Sequence, residues 1–167
     1  MATEGVTGVR VEPLAKVLGV SKGSFYWHFK DRRALLDALL SHWEAQGTEA
    51  VIIGVDAAAH APEDRLWVLM RRVFSTPLEL DQFETAVRAW GTRDPSTSQV
   101  IARVDRRRLA YVSDILTGAG IPQAEARRRA QVLYSALIGD FFVRSHGGEH
   151  LSRATLKSLH ALLLSPT

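Results

Sequence analysis

Apolar positions along this chain recur at three- and four-residue steps rather than alternating, so the pattern predicts helices throughout and an all-α fold. Leu14, Val17 and Leu18 form one short apolar face, which Gly19 stops. Ser21, a good helix-capping residue, opens a second short helix carrying Phe25 and Phe29. Asp31 caps a third, with Leu35, Leu36, Leu39, Leu40 and Trp43 on one side, and the unit is expected to end near Gly47. Pro62 opens the next helix, bearing Leu66, Trp67, Met70, Val73 and Phe74. Phe83, Val87 and Trp90 mark another, ending near Asp94-Pro95. Ile101 to Leu116 mark a long one stopped by Gly118 and Gly120, and two more run from about Pro122 to Gly147 and Leu151 to Leu164. The nearest strand candidate, Val51-Ile52-Ile53-Gly54-Val55, is short and has no hairpin turn beside it.

The helix after Pro122 carries Ala126, Ala130, Leu133, Tyr134, Leu137, Ile138, Phe141 and Phe142, a stripe wider than one core face needs. Leu156, Leu159 and Leu163 repeat the pattern in the last helix. Both helices are expected to pair with their symmetry copies in a four-helix bundle, with Ala130, Leu133, Tyr134, Leu137, Phe141, Leu156, Leu159 and Leu163 at a homodimer interface.

With 167 residues the chain has room for one or two small domains, and its 46% apolar and 23% charged residues are those of an ordinary globular protein. It has no cysteine, which removes disulfides, thiolate catalysis and iron–sulfur ligation and suits a reducing cytoplasm. No signal peptide or membrane span is expected, and no membrane partner. The formal charge of +3 is unevenly spread: residues 1–33 hold six basic side chains against three acidic ones, and the rest of the chain balances.

That basic end reads as a helix-turn-helix: Glu12 to Leu18, a Gly19-Val20 turn, then Ser21 to Phe29. The second helix would lie in the major groove of double-stranded DNA. Lys22 and the backbone N–H groups at the helix start suit phosphate oxygens, and Gly23 lets DNA approach the backbone. Ser24 can bond a base edge. Tyr26 and His28 flank the path of the phosphates, and Lys30 adds charge at the exit.

From Val11 through Lys22-Gly23-Ser24-Phe25-Tyr26-Trp27-His28-Phe29-Lys30 to Leu36, the chain resembles the DNA-binding domain of the TetR (tetracycline-repressor-like) family of bacterial transcription regulators. The resemblance implies phosphate contacts at Lys22, Tyr26, His28 and Lys30 and base contacts at Gly23, Ser24 and Trp27. It divides the chain into a DNA-binding domain over 1–47 and an effector-binding and dimerisation domain over 48–167. It further implies a ligand-responsive repressor, homodimeric on a palindromic operator, with an apolar or aromatic small-molecule effector among Trp67, Met70, Phe74, Phe83, Trp90, Tyr111 and Phe141. Two departures from the family pattern stand out. Val9-Arg10 replaces the usual hydroxyl cap of the first motif helix and offers Arg10 as a phosphate contact. Only Met1 to Glu4 stand where the family's first helix lies, which would leave Leu14, Leu18, Phe25 and Phe29 partly uncovered. The alternative that follows is a dimeric ligand-binding remnant impaired in DNA binding.

Other constellations carry less. Arg106-Arg107-Arg108 and Arg127-Arg128-Arg129 read as solvated helix faces, except that Arg108 falls near the apolar line and should pair with Asp94 or Asp105. His146, Glu149 and His150 flank a glycine pair that breaks the helical spacing zinc sites need, so no metal is expected. No nucleophile elbow, phosphate loop or dinucleotide fingerprint is present, so no catalytic residue or cofactor is expected.

Overall fold

In the computed structural model, which describes residues 5–166, every regular element is helical. Met1 to Glu4, where the sequence suggests a shortened first helix, lie outside the described residues. A single 3-10 turn, Val6–Gly8, precedes α1 (Val11–Val17), α2 (Lys22–His28) and α3 (Arg32–Glu44). Then come α4 (Ala50–Ala58), α5 (Pro62–Val73), α6 (Leu78–Gly91), α7 (Pro95–Gly118), α8 (Gln123–Ser145) and α9 (Arg153–Leu164).

Most boundaries have local causes. Gly19 sits at φ +65°, and the N–H groups of Val20 and Gly19 reach back to the carbonyls of Ala15 and Lys16, closing α1 with a left-handed glycine turn. Gly120 closes α7 in the same way. Ser21 Oγ accepts from the Ser24 N–H at 3.0 Å, Asp31 from Ala34 at 2.8 Å, Asp94 from Thr97 at 2.8 Å and Ser152 from Thr155 at 3.1 Å, so four helices start on a side-chain cap. Arg10, at the start of α1, provides no such cap.

Gly47 does not end a helix. The path stays helical from Arg32 to Ala58, passing through a wider π-helical stretch at Ala45–Glu49. A glycine stops a helix by going left-handed, and Gly47 keeps a negative φ. What it supplies is space: the Arg108 guanidinium comes within 3.0 Å of where its Cβ would be. Val51 to Val55, the nearest strand candidate, lie in α4, burying Ile52 and Val55.

Two apolar clusters hold the chain together. The larger, around Leu66, Met70, Phe74, Val112, Ile115, Leu116, Ala126, Leu133 and Phe141, joins α4, α5, α7, α8 and α9. The smaller, formed by Val9, Leu36, Leu40, Trp43, Val87, Trp90 and Val104, ties α3 and the segment before α1 to α6 and α7. Full burial of a large apolar side chain contributes roughly 1.5–3 kcal/mol, so this second cluster makes the N-terminal unit and α6 one packed body.

The broad stripe of α8 is mostly used at home. Ala130, Leu133, Leu137, Phe141, Leu156 and Leu163 are all buried within the chain's own core; Tyr134 and Leu159 are half-buried. Apolar side chains that α8 and α9 leave in solvent are a different set, Val132, Phe142, Val143 and Leu162, each more than half exposed. Helical periodicity cannot separate a stripe that faces a neighbouring helix from one that faces a second molecule.

Candidate nucleic-acid interface and effector cavity

Around the tight turn, the side chains sort as amphipathic spacing demands. Phe25 is buried, Phe29 and Leu14 half-buried, and Phe25 stacks on Phe29 with ring centres 5.3 Å apart. Leu18, in contrast, is 70% exposed and Val17 is open beside it, so only Ala15 of α1 is fully covered. On the outer side of α2, Lys22, Gly23, Ser24, Tyr26, Trp27 and His28 all face solvent, and Lys30 follows. Trp27 is 83% exposed, its indole held edge-on to the His28 ring at 4.8 Å.

Gly23 has no structural reason to be glycine. A Cβ built there would meet only Ser21 Oγ, at an ordinary 3.7 Å, and the backbone φ is not left-handed. Glycine costs a helix up to about 1 kcal/mol relative to alanine, and nothing in the packing of α2 offsets that cost.

Cations at this surface differ in their freedom. Lys22 Nζ bonds Glu12 Oε1 at 2.6 Å across the turn, which raises the Lys22 pKa and lowers that of Glu12. Arg10 Nε donates to the Thr7 carbonyl at 3.4 Å. Arg32, although exposed, spends its guanidinium on the carbonyls of Val9 and Val6, both at 2.6 Å, and so ties the leading segment to α3.

Behind this unit lies a cavity of about 530 Å³, enclosed by α3, the π-helical stretch, α4, α5, α6, α7 and α8. That volume suits a drug-sized molecule. Its interior is apolar, with Phe74, Val112, Leu133, Leu137 and Phe141. Of the side chains expected at an effector site, Phe74, Phe83, Tyr111 and Phe141 line this cavity. Met70 does not: it is fully buried in the larger core. Trp67 packs edge-on against His160 at 5.5 Å, and Trp90 lies in the smaller core. Trp43, Thr48, Glu84 and Tyr134 are lining residues that sequence patterns do not reveal.

One wall of the cavity is a polar network. Trp43 Nε1 donates to Glu84 Oε2 at 2.6 Å, and Arg108 donates to Glu84 Oε1 at 3.1 Å and to Thr48 Oγ1 at 2.9 Å. Arg88 bonds both Glu84 and Asp105, and the Tyr134 hydroxyl donates to Asp105 Oδ1 at 2.6 Å. Burial opposes the Arg108 charge, yet Glu84 and Tyr134 raise its pKa overall. Burial also pushes the Tyr134 phenol up to about 12. The partner of Arg108 is therefore Glu84, not Asp94 or Asp105. Asp105 belongs to Arg88 and Tyr134, and Asp94 is engaged at the start of α7 and with Arg33. Helical phase puts Arg108 against α6, and a partner on another helix leaves no mark in local spacing.

A second buried group closes the far end. Arg144 pairs with Asp81 and, through Nε at 2.7 Å, with Asp140. Thr76 Oγ1 donates to Asp81 Oδ1. Burial raises the Asp81 pKa. Elsewhere, Arg103 and Arg107 bridge α7 to Glu44 and Glu49. Arg129 bonds the carbonyls of Leu163 and Ser165 at the end of α9. His146 Nδ1 lies 2.8 Å from the Phe142 carbonyl and His150 Nδ1 3.1 Å from that of Phe74; among the described residues no three metal-binding side chains converge. No helix among them is long and apolar enough to cross a membrane.

Residues 1–39 match the family described as bacterial regulatory proteins, tetR family. Over 35 residues the chain is 54% identical to the class A tetracycline repressor protein from transposon 1721 of Escherichia coli, a stretch that covers 21% of this chain but only 16% of that repressor. The HTH-type transcriptional regulator BetI of Serratia proteamaculans is 28% identical over 145 residues, 84% of this chain and 72% of BetI. Among solved structures, a transcriptional regulator from Rhodococcus sp. Rha1 superposes with a TM-score of 0.72 at 20% identity, covering 98% of this chain and 87% of its own. Escherichia coli NemR in its reduced form gives 0.69 at 18% identity, over 97% and 88% of the two chains. At such identities these two structures speak for the fold alone.

Proposed function

We propose that this chain, whose residues 1–39 match the tetR family of bacterial regulatory proteins, is a ligand-responsive repressor, acting as a homodimer on a palindromic operator. Residues 1–47 form the DNA-binding unit in this reading, and residues 48–167 bind the effector and dimerise. The observation that carries it is the face of α2: Lys22, Gly23, Ser24, Tyr26, Trp27 and His28 are open, Phe25 is buried, and Gly23 is a glycine the fold does not require. Lys22, Tyr26, His28, Lys30 and Arg10 take the phosphates; Gly23, Ser24 and Trp27 meet base edges.

The exposed apolar set Val132, Phe142, Val143 and Leu162 supports a second copy docking on α8 and α9. Two copies would present their α2 helices to successive major grooves about 34 Å apart. Effector response rests on the cavity wall. Trp43 belongs to the helix that begins at the DNA-binding unit, and Phe83 and Glu84 belong to α6; all three line the cavity and Trp43 also sits in the smaller core. A ligand that favours one setting of α3 against α6 would change the separation of the two reading helices.

The test is fluorescence anisotropy on the DNA just upstream of the gene, at about 0.15 M salt with excess non-specific competitor. Saturable binding that survives the competitor is expected. Lys22→Ala should weaken binding to every sequence, and Ser24→Ala should alter the preference among sequences. Equal losses on all sequences for both variants would refute this division of roles, and the absence of any specific binding would refute the regulator reading.

A further inference from the structure

The mouth of the cavity is rimmed by side chains exposed to solvent, among them His42, Gln46, Arg72 and Ser75. No described residue gives the side chain of Arg72, His42, Gln46 or Ser75 a hydrogen bond or ion pair, whereas the two acids of the lining, Glu84 and Asp81, are committed to Arg88 and Arg108 and to Arg144. Asp81 and Asp140 share that one arginine, so neither offers Arg72 a carboxylate partner. Arg72 is a permanent cation at the mouth with no carboxylate partner among the described residues, flanked by His42, Gln46 and Ser75.

Arg72 also lies against α4. On α4, across from it, Gly54 stands in the interior of a helix, where glycine costs up to about 1 kcal/mol. The position a Cβ would take at Gly54 overlaps Arg72 Nη1 and comes within 3.0 Å of Cζ, so the guanidinium occupies the space a side chain there would fill. Gly54 is a positioning residue: any larger side chain moves the arginine. A planar guanidinium with its donors unspent is the side chain best matched to a carboxylate or a similar oxyanion.

Resting on the effector reading above, we propose that the ligand is an amphipathic organic anion, with an apolar body among Phe74, Leu133, Leu137 and Phe141 and an oxyanion head held by Arg72 at the mouth. An apolar molecule without a charged head would fill the interior and leave Arg72 unpaired. A cationic one would place its charge beside the arginine.

Two fluorescent dyes that differ only in the head test this: anilinonaphthalene sulfonate, and phenylnaphthylamine, which has the same rings without the sulfonate. Titrated into the whole protein, the sulfonate should bind at least about tenfold more tightly, the worth of a charge-assisted hydrogen bond. Arg72→Gln should bring the two dyes within about twofold, leaving the neutral dye unchanged. Gly54→Ala should narrow the gap in the same direction. Arg71→Gln, which removes an exposed neighbouring charge outside the cavity, should leave it intact. Added salt should narrow the gap in the native protein, since Arg72 is exposed.

If the dyes bind equally well and Arg72→Gln changes neither, the anionic head is refuted while the cavity still binds apolar molecules. If Arg71→Gln costs as much as Arg72→Gln, the preference is a general surface-charge effect and the proposal fails. If neither dye binds, the effector reading fails with it.

Discussion

Trp43 and Glu84 join the helix that leaves the DNA-binding unit to the helix that flanks the cavity: the indole N–H donates to the carboxylate at 2.6 Å, with both side chains buried. Arg108 stacks over the same indole, 5.1 Å from the ring centre, while bonding the same carboxylate. A ligand in the cavity would touch both ends of this link. Trp43→Phe keeps most of the apolar contact and removes the donor. It should lower stability by about 1–2 kcal/mol in chemical denaturation, since Glu84 keeps its two arginines. Operator affinity should stay near that of the native protein, while the change in affinity that a cavity ligand produces should shrink. An undiminished ligand effect would show that coupling runs by another route.

Arg144 stands between Asp81 and Asp140, out of reach of solvent. Arg144→Met leaves two carboxylates facing each other in the core. The expected loss is about 3–5 kcal/mol, the usual result of removing one side of a buried ion pair. Protonation of the abandoned acids should relieve part of it, so the variant should gain on the native protein as pH is lowered. Combining Arg144→Met with Asp81→Asn and Asp140→Asn should recover much of the loss at neutral pH. Denaturation curves at two pH values read all of these outcomes.

Asp94 makes a second pH prediction, this one from a carboxyl whose pKa is lowered. The Ser96 hydroxyl, at 2.6 Å, and the Thr97 N–H hold its carboxyl well below the usual carboxylate range. A group whose folded pKa lies below its unfolded one stabilises fully above the unfolded value and ceases to do so as pH falls through the folded value. Asp94→Asn can still cap α7 but cannot titrate. Its melting temperature should fall less steeply than that of the native protein as pH is taken below about 4, the ordinary carboxylate value. Parallel curves for the two proteins would show that Asp94 contributes nothing to acid sensitivity.

Features decided within a few residues were legible in advance. The Gly19 turn, the Ser21 and Asp31 caps and the exposed face of α2 all follow from local spacing. Features decided between helices were not. The position of Arg108 near the apolar line marks it for a carboxylate partner, but its acid lies on α6. The apolar stripe of α8 was visible, and whether its leucines met α7 or a second molecule was not. Gly47, near which the N-terminal unit is expected to end, is a gap that admits an arginine within a continuing helix. Gly54 was visible only as a glycine inside an apolar run; the guanidinium that occupies its missing Cβ lies on α5, eighteen residues away. Such partners are set by packing, which periodicity does not encode.

Gly23 separates stability from recognition most cleanly. Within the free protein a Cβ at this position touches only Ser21 Oγ, at 3.7 Å, and the backbone already has helical dihedrals. Gly23→Ala should therefore leave the fold intact and raise stability by up to about 1 kcal/mol, through the better helix propensity of alanine and its smaller unfolded-state entropy. On DNA the same methyl group would stand where the groove must close on the backbone of α2. Operator binding should then fall by at least about tenfold, roughly the effect of losing one good base contact. Thermal unfolding and fluorescence anisotropy on one preparation give both quantities. If alanine were tolerated on DNA as well as in the fold, α2 would not approach the bases through Gly23, and the reading contacts would have to move outward to Trp27 and His28.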